Sequence, residues 1–95
     1  MGKTYSVVYS NQFKKNLKKL LKQGKDRFKL INVVDKLANG ELLDPKYNDH
    51  PLYDNKKLKN CRDLHIEPDW VLIYKYSGDE IILLVTTGSH SEIFG

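Results

Sequence analysis

Residues 58–87 read LKNCRDLHIEPDWVLIYKYSGDEIILLVTT, and the fold turns on this stretch. Leu58–Ile66, Trp70–Tyr76 and Glu80–Thr87 read as three strands, the last two rich in β-branched and aromatic side chains. They are joined by Glu67-Pro68-Asp69 and Ser77-Gly78-Asp79, connections of hairpin length. Three such runs in succession predict an antiparallel meander. Upstream, Glu41–Asn55 holds Pro45, Pro51, Asp44, Asn48, Asp49 and Asp54 and reads as a loop rather than a helix.

Before that loop the hydrophobic period is helical. Phe13, Leu17, Leu20 and Leu21 recur at helix spacing after the N-cap candidates Ser10 and Asn11, and the pattern stops at Gly24. A second stripe, Leu30, Ile31, Val34, Leu37 and Ala38, starts near Asp26 and ends at Asn39 and Gly40. Two helices this short do not persist alone and need a sheet on which to bury their stripes. Thr4–Tyr9 alternates in period two, with Tyr5, Val7 and Tyr9 on one face, and supplies a first strand. The predicted order is β-α-α-β-β-β: an α+β fold with a two-helix hairpin packed on an antiparallel sheet.

At 95 residues the chain is expected to form one domain, 1–95, with little apolar surface to spare for a deep enclosed cavity. The one cysteine, Cys61, has no partner within the chain, and MGKTYSVVYS shows no charged-then-apolar leader. A reducing cytoplasm is therefore the expected location. The longest apolar run, Ile81–Val85, is far short of the roughly 20 residues of a membrane-spanning helix, so no membrane partner is expected.

The net charge of +4 and pI of 9.1 conceal an uneven distribution. Residues 1–36 carry ten Lys or Arg against Asp26 and Asp35, a balance of +8, which leaves −4 for residues 37–95. A cationic half on a small fold attracts polyanions by counterion release, although a solvated lysine face would look the same.

Three histidines stand at element ends: His50 in Asp49-His50-Pro51, His65 before Ile66-Glu67-Pro68-Asp69, and His90 after Gly88-Ser89. Imidazole donates and accepts protons near neutrality, which suits acid–base catalysis. Tetrahedral zinc sites use close ligand pairs, whereas these histidines are 15 and 25 residues apart and Cys61 has no neighbouring cysteine. No metal and no cofactor are expected. Trp70 and Phe94 are placed where an aromatic ring could either fill the core or stack on a base.

The strings DHPL (49–52), RDLHIEPDW (62–70), LIY (72–74) and TGSH (87–90), with a terminal Phe94-Gly95, resemble in order and spacing the YafQ branch of the RelE toxin superfamily. The resemblance spans nearly the whole chain. It implies a type II toxin: a small ribonuclease that enters the ribosomal A site, cuts mRNA during translation and is silenced by a cognate antitoxin. Operator DNA would be met only through the toxin–antitoxin complex. The family's functional positions fall on His50, His65, Asp69, His90 and Phe94. Where the family commonly has arginine two residues before the glycine of the GSH segment, this chain has Thr86. Arg62, Lys57 or Lys59 are the candidates to supply that charge to RNA, with Trp70 as a stacking candidate.

Metal-free RNA cleavage needs a base for the 2′-hydroxyl, an acid for the departing 5′-oxygen and a cation for the phosphorane. The resemblance and this chemistry together assign His50 and His65 as base candidates, His90 as the acid and Asp69 as the carboxylate that orients a histidine. Two other classes remain open: a catalytically weak, antitoxin-binding autoregulatory partner, suggested by Thr86, and a gyrase-poisoning toxin on the same fold.

Overall fold

The computed structural model describes residues 4–52 and 60–87, of which 82–87 are described by their backbone alone. The elements are β1 (Ser6–Tyr9), α1 (Asn11–Lys22), α2 (Arg27–Ala38), a 3-10 turn (Pro45–Tyr47), β2 (His50–Pro51), β3 (Arg62–Glu67), β4 (Trp70–Ser77) and β5 (Glu80–Thr87). The β-α-α-β-β-β order read from the sequence holds, with β2 added. The sheet order is β1-β5-β4-β3-β2. β3, β4 and β5 form the expected antiparallel meander, and β1 joins β5 in parallel, which makes the sheet mixed.

Both helices start where a side chain can satisfy an orphan amide. The Ser10 hydroxyl accepts from Phe13 N at 3.1 Å and the Asp26 carboxylate from Phe28 N at 2.9 Å, caps typically worth about 1 kcal/mol each. Gly24 follows α1 at φ +94°, a left-handed conformation that costs other residues strain. The helices bury Phe13, Leu20, Leu30, Val33, Val34 and Leu37 against Leu64, Ile66, Trp70, Leu72, Tyr74 and Ile81 on one sheet face. Val33 takes the place expected for Ile31, which stays 40% exposed. With Leu30, Val34 and Leu37 inside, Val33 lies on their stripe and Ile31 is rotated out of it.

The second sheet face carries Cys61, Val71 and Ile73, with Leu52 packed on them. Central β4 is therefore buried on both sides from Trp70 to Tyr74, which explains its unbroken apolar run. β3 starts at Arg62, not Leu58. Asn60 is left-handed at φ +61° and interrupts an extended chain there.

A charge cluster ties the helix pair to the sheet. Glu67, at the end of β3, receives Lys25 at 2.8 Å and Lys29 at 2.6 Å. These two hydrogen bonds hold the Glu67 carboxyl below its ordinary range and raise both lysines. A depressed carboxyl stabilises the fold above its unfolded pKa and loses that contribution as pH falls through the folded value. Glu67→Gln should therefore lower stability by about 1 kcal/mol at neutral pH, discounted for solvent screening. Urea melts at neutrality and near pH 3 check this, with parent and variant converging in acid.

Among the described residues no helix is long and apolar enough to cross a membrane.

Candidate functional site

β2 is only two residues long, yet its register decides the site. His50 pairs with Asp63 and Pro51 with Arg62. Directly paired side chains share a sheet face with Cβ atoms about 5 Å apart, and diagonal neighbours lie at about 7 Å. His65, two residues along β3 from Asp63, shares that face too. Two histidines from distant parts of the chain are thus placed on either side of one aspartate.

Asp63 is fully buried, and its Oδ1 lies 3.6 Å from His65 Nε2, an ion-pair distance when the imidazole is charged. The other His65 nitrogen, Nδ1, faces the Pro68 carbonyl at 3.4 Å. The register shifts between His65 and Glu67, a bulge that turns the strand toward the tight connection immediately after the histidine. His50 Nδ1 lies 2.6 Å from the Asn48 carbonyl. A carbonyl only accepts, so Nδ1 carries the hydrogen, and in the neutral ring Nε2 keeps the lone pair. Asn48 reaches this geometry in the left-handed region at φ +49°, which asparagine tolerates better than most residues.

The opposite face of the same strands holds Arg62, Tyr74 and Asp49. The Tyr74 hydroxyl donates to Asp49 Oδ1 at 2.7 Å, and Arg62 Nε donates to the same oxygen at 3.2 Å. Burial first, and the Asp49 carboxylate second, push the Tyr74 phenol far up, so it remains a proton donor. Beside the histidines, the uncovered part of β3, the 3-10 turn and α2 enclose an open cleft of about 730 Å³. His65, Glu67, Lys29, Asn32, Lys46, Tyr47 and Asn48 are among its lining residues. The Lys46 ammonium sits 5.2 Å from the Tyr47 ring centre and has no ion-pair partner among the described residues.

Set against the sequence expectations, these placements bring His50 and His65 together and redirect three other residues. Arg62 is on the helix face, bound to Asp49, while His65 is on the other; the bulge lies beyond His65 and does not reunite them. Arg62 is accordingly half-buried and engaged through Nε with Asp49, across the sheet from His65. Trp70 has 0% exposure within the helix-facing core, so it has no face to offer a base. Asp69 is 69% exposed and pairs with Lys25 at 3.2 Å; the carboxylate beside His65 is Asp63.

Asp63 was missed because its partner His50 comes from a loop. The i, i+2 spacing of Asp63 and His65 on one strand was the available signal. Lys57, Lys59, His90 and Phe94 lie outside the described residues. Thr86 is described by its backbone, which pairs with Leu72. Among the described residues no group of three or more His, Cys, Asp or Glu could hold a metal ion.

Comparison with known proteins agrees with this architecture. A curated relative, the mRNA interferase toxin YafQ of Escherichia coli, is 42% identical over 90 residues, covering 94% of this chain and 95% of the relative. YafQ in the crystal structure of the E. coli DinJ–YafQ complex superposes with a TM-score of 0.85 at 39% identity, over 97% of this chain and all of that one. A copper-bound mutant toxin from Helicobacter pylori gives a TM-score of 0.87 at 41% identity, over 96% of this chain and all of that one. The family described as the bacterial toxin of type II toxin-antitoxin system, YafQ, matches residues 5–95, and the chain belongs to that family.

Proposed function

We propose that this protein is an endoribonuclease that cuts mRNA on the translating ribosome by general acid–base chemistry. The observation that carries the reading is the placement of His50 and His65 on one sheet face around buried Asp63. The E. coli relative is named an mRNA interferase, and the family membership extends that activity class to this chain.

In the proposed reaction His50 Nε2 accepts the proton of a 2′-hydroxyl. The 2′-oxygen attacks the adjacent phosphorus, the bond to the 5′-oxygen breaks, and His90 delivers a proton to that leaving oxygen. The products are a 2′,3′-cyclic phosphate and a 5′-hydroxyl. His65 lies on the same face with Nε2 directed at Asp63 and Nδ1 at the Pro68 carbonyl, so it supports the site electrostatically while Asp63 holds its ring. Lys46, on the cleft wall, supplies positive charge that Thr86 does not. Lys57 and Lys59 are further candidates for that contact.

The family resemblance supports the roles of His90 and Phe94, which follow β5 in the sequence. Thr87 pairs with Val71, which pairs with His65, so β5 ends two strands from His65, about 10 Å away. Phe94 then stacks on a base near the cut. Asp69 has an exposed, hence weak, pair with Lys25 and can exchange it for a contact to substrate.

Along α1 the exposed Lys14, Lys15, Lys18, Lys19 and Lys22 suit the phosphate-dense ribosomal surface. They also suit an acidic antitoxin segment; the related YafQ is seen in complex with DinJ. The protein would work in the cytoplasm, reaching operator DNA only in complex with its antitoxin.

Primer extension on cellular mRNA after induction tests the function. In-frame cuts within translated regions are expected. Intact mRNA with DNA damage would indicate gyrase poisoning, and intact mRNA without toxicity would indicate an antitoxin-binding partner that Thr86 has left inactive.

A further inference from the structure

We propose that Asp49, latched through the sheet edge to Tyr74 and Arg62, is the positioning residue that holds His50 in its working register. The inference rests on the reading of His50 as the base.

β2 itself is a weak anchor. It is two residues long, lies at the sheet edge and includes Pro51, which has no amide hydrogen to give the ladder. Leu52 N on Cys61 O at 2.9 Å follows it, and before it Asn48 is left-handed. What fixes the segment from the other side is Asp49. Its side chain lies on the sheet face opposite His50, where one carboxylate oxygen receives both the Tyr74 hydroxyl, at 2.7 Å, and Arg62 Nε, at 3.2 Å. Arg62 Nε is also 3.3 Å from the Tyr74 oxygen, which closes a three-membered network.

Tyr74 is fully buried on β4, so the latch is tied to the central strand of the sheet. The arginine charge offsets the cost of withdrawing the carboxylate from water. Because successive residues point to opposite faces, locking Asp49 downward locks His50 upward toward Asp63. The Asn48 carbonyl that sets the His50 tautomer is one residue further back, so it is held by the same latch.

Full-length protein labelled with ¹⁵N at histidine provides the test, with cleavage on programmed ribosomes measured in parallel. The parent should show His50 as the Nδ1–H tautomer. In Asp49→Ala and Tyr74→Phe the His50 signals should move toward a tautomer mixture while those of His65 stay in place. kcat should fall about 10- to 100-fold, the scale of a misplaced catalytic group, with KM changed less than about threefold. Asp49→Asn keeps an acceptor for the Tyr74 hydroxyl and should recover most of the parent's His50 signature.

If Asp49→Ala does not fold, Tyr74→Phe, which deletes one buried hydroxyl, decides alone. His50 signals unchanged in Tyr74→Phe would overturn the proposal, whatever happens to the rate. A parent with the expected tautomer that moves in the variants, but which does not cut mRNA, would uphold the latch and refute His50 as the base.

Discussion

His50→Gln is expected to lower kcat for cleavage of ribosome-bound mRNA by about 10² to 10⁴-fold, the usual contribution of one positioned proton-transfer group. This corresponds to roughly 3 to 5 kcal/mol of barrier. Glutamine retains a donor for the Asn48 carbonyl but cannot take up the 2′-hydroxyl proton, so the variant removes the chemistry and spares the fold. The thermal midpoint and antitoxin binding should stay close to those of the parent. A rate that rises with pH on the acid side, because the base must be deprotonated, should flatten in the variant. His90→Ala is expected to cost a similar factor on the leaving-group side. Stopped-time cleavage assays across pH measure both losses; retention of the rising limb in His50→Gln would assign the base to His65.

The second large effect falls on stability. Trp70 is fully buried among Phe13, the α2 stripe and the inner face of β3 and β4, with Lys25 Nζ 5.9 Å from its ring centre. Trp70→Ala should destabilise the fold by about 3 to 5 kcal/mol, a large fraction of the 5 to 15 kcal/mol available to a domain. Its indole nitrogen is buried without a hydrogen-bond partner among the described residues. Trp70→Phe deletes that unsatisfied donor, worth about 1 to 3 kcal/mol, and should offset much of the lost contact. Chemical denaturation measures both. Had Trp70 been a stacking platform for RNA, Trp70→Ala would leave the melting curve unchanged and weaken RNA binding alone.

The change from period two to helical spacing at Ser10, and the two tight connections between apolar runs, made the β-α-α-β-β-β order legible in the sequence. The buried centre of β4 was legible too, because a strand covered on both faces is apolar throughout. Nothing local marks β2: two residues, one of them proline, sit inside a loop whose composition argues against a strand. Without β2, the meeting of His50 with Asp63 cannot be derived, because register across a long connection is set by tertiary packing.

The same gap hides Asp63: Asp69 entered through the family resemblance, whereas the carboxylate nearest His65 is found only once the strands are placed. Arg62 is a different case. Strand parity already placed it across the sheet from His65, and the structure adds its reason for being there, the carboxylate of Asp49. The parallel pairing of β1 with β5 is likewise invisible in a strand of four residues, since either direction satisfies the same alternation.

In the proposed reaction RNA is cut by its own 2′-hydroxyl under the control of protein imidazoles. The most direct measurement is the chemistry of the fragment ends produced on programmed ribosomes. A 2′,3′-cyclic phosphate on the upstream fragment and a 5′-hydroxyl on the downstream one are predicted, together with loss of cleavage when the nucleotide before the cut is 2′-deoxy. A 5′-phosphate on the downstream fragment, or undiminished cutting at the deoxy position, would contradict it.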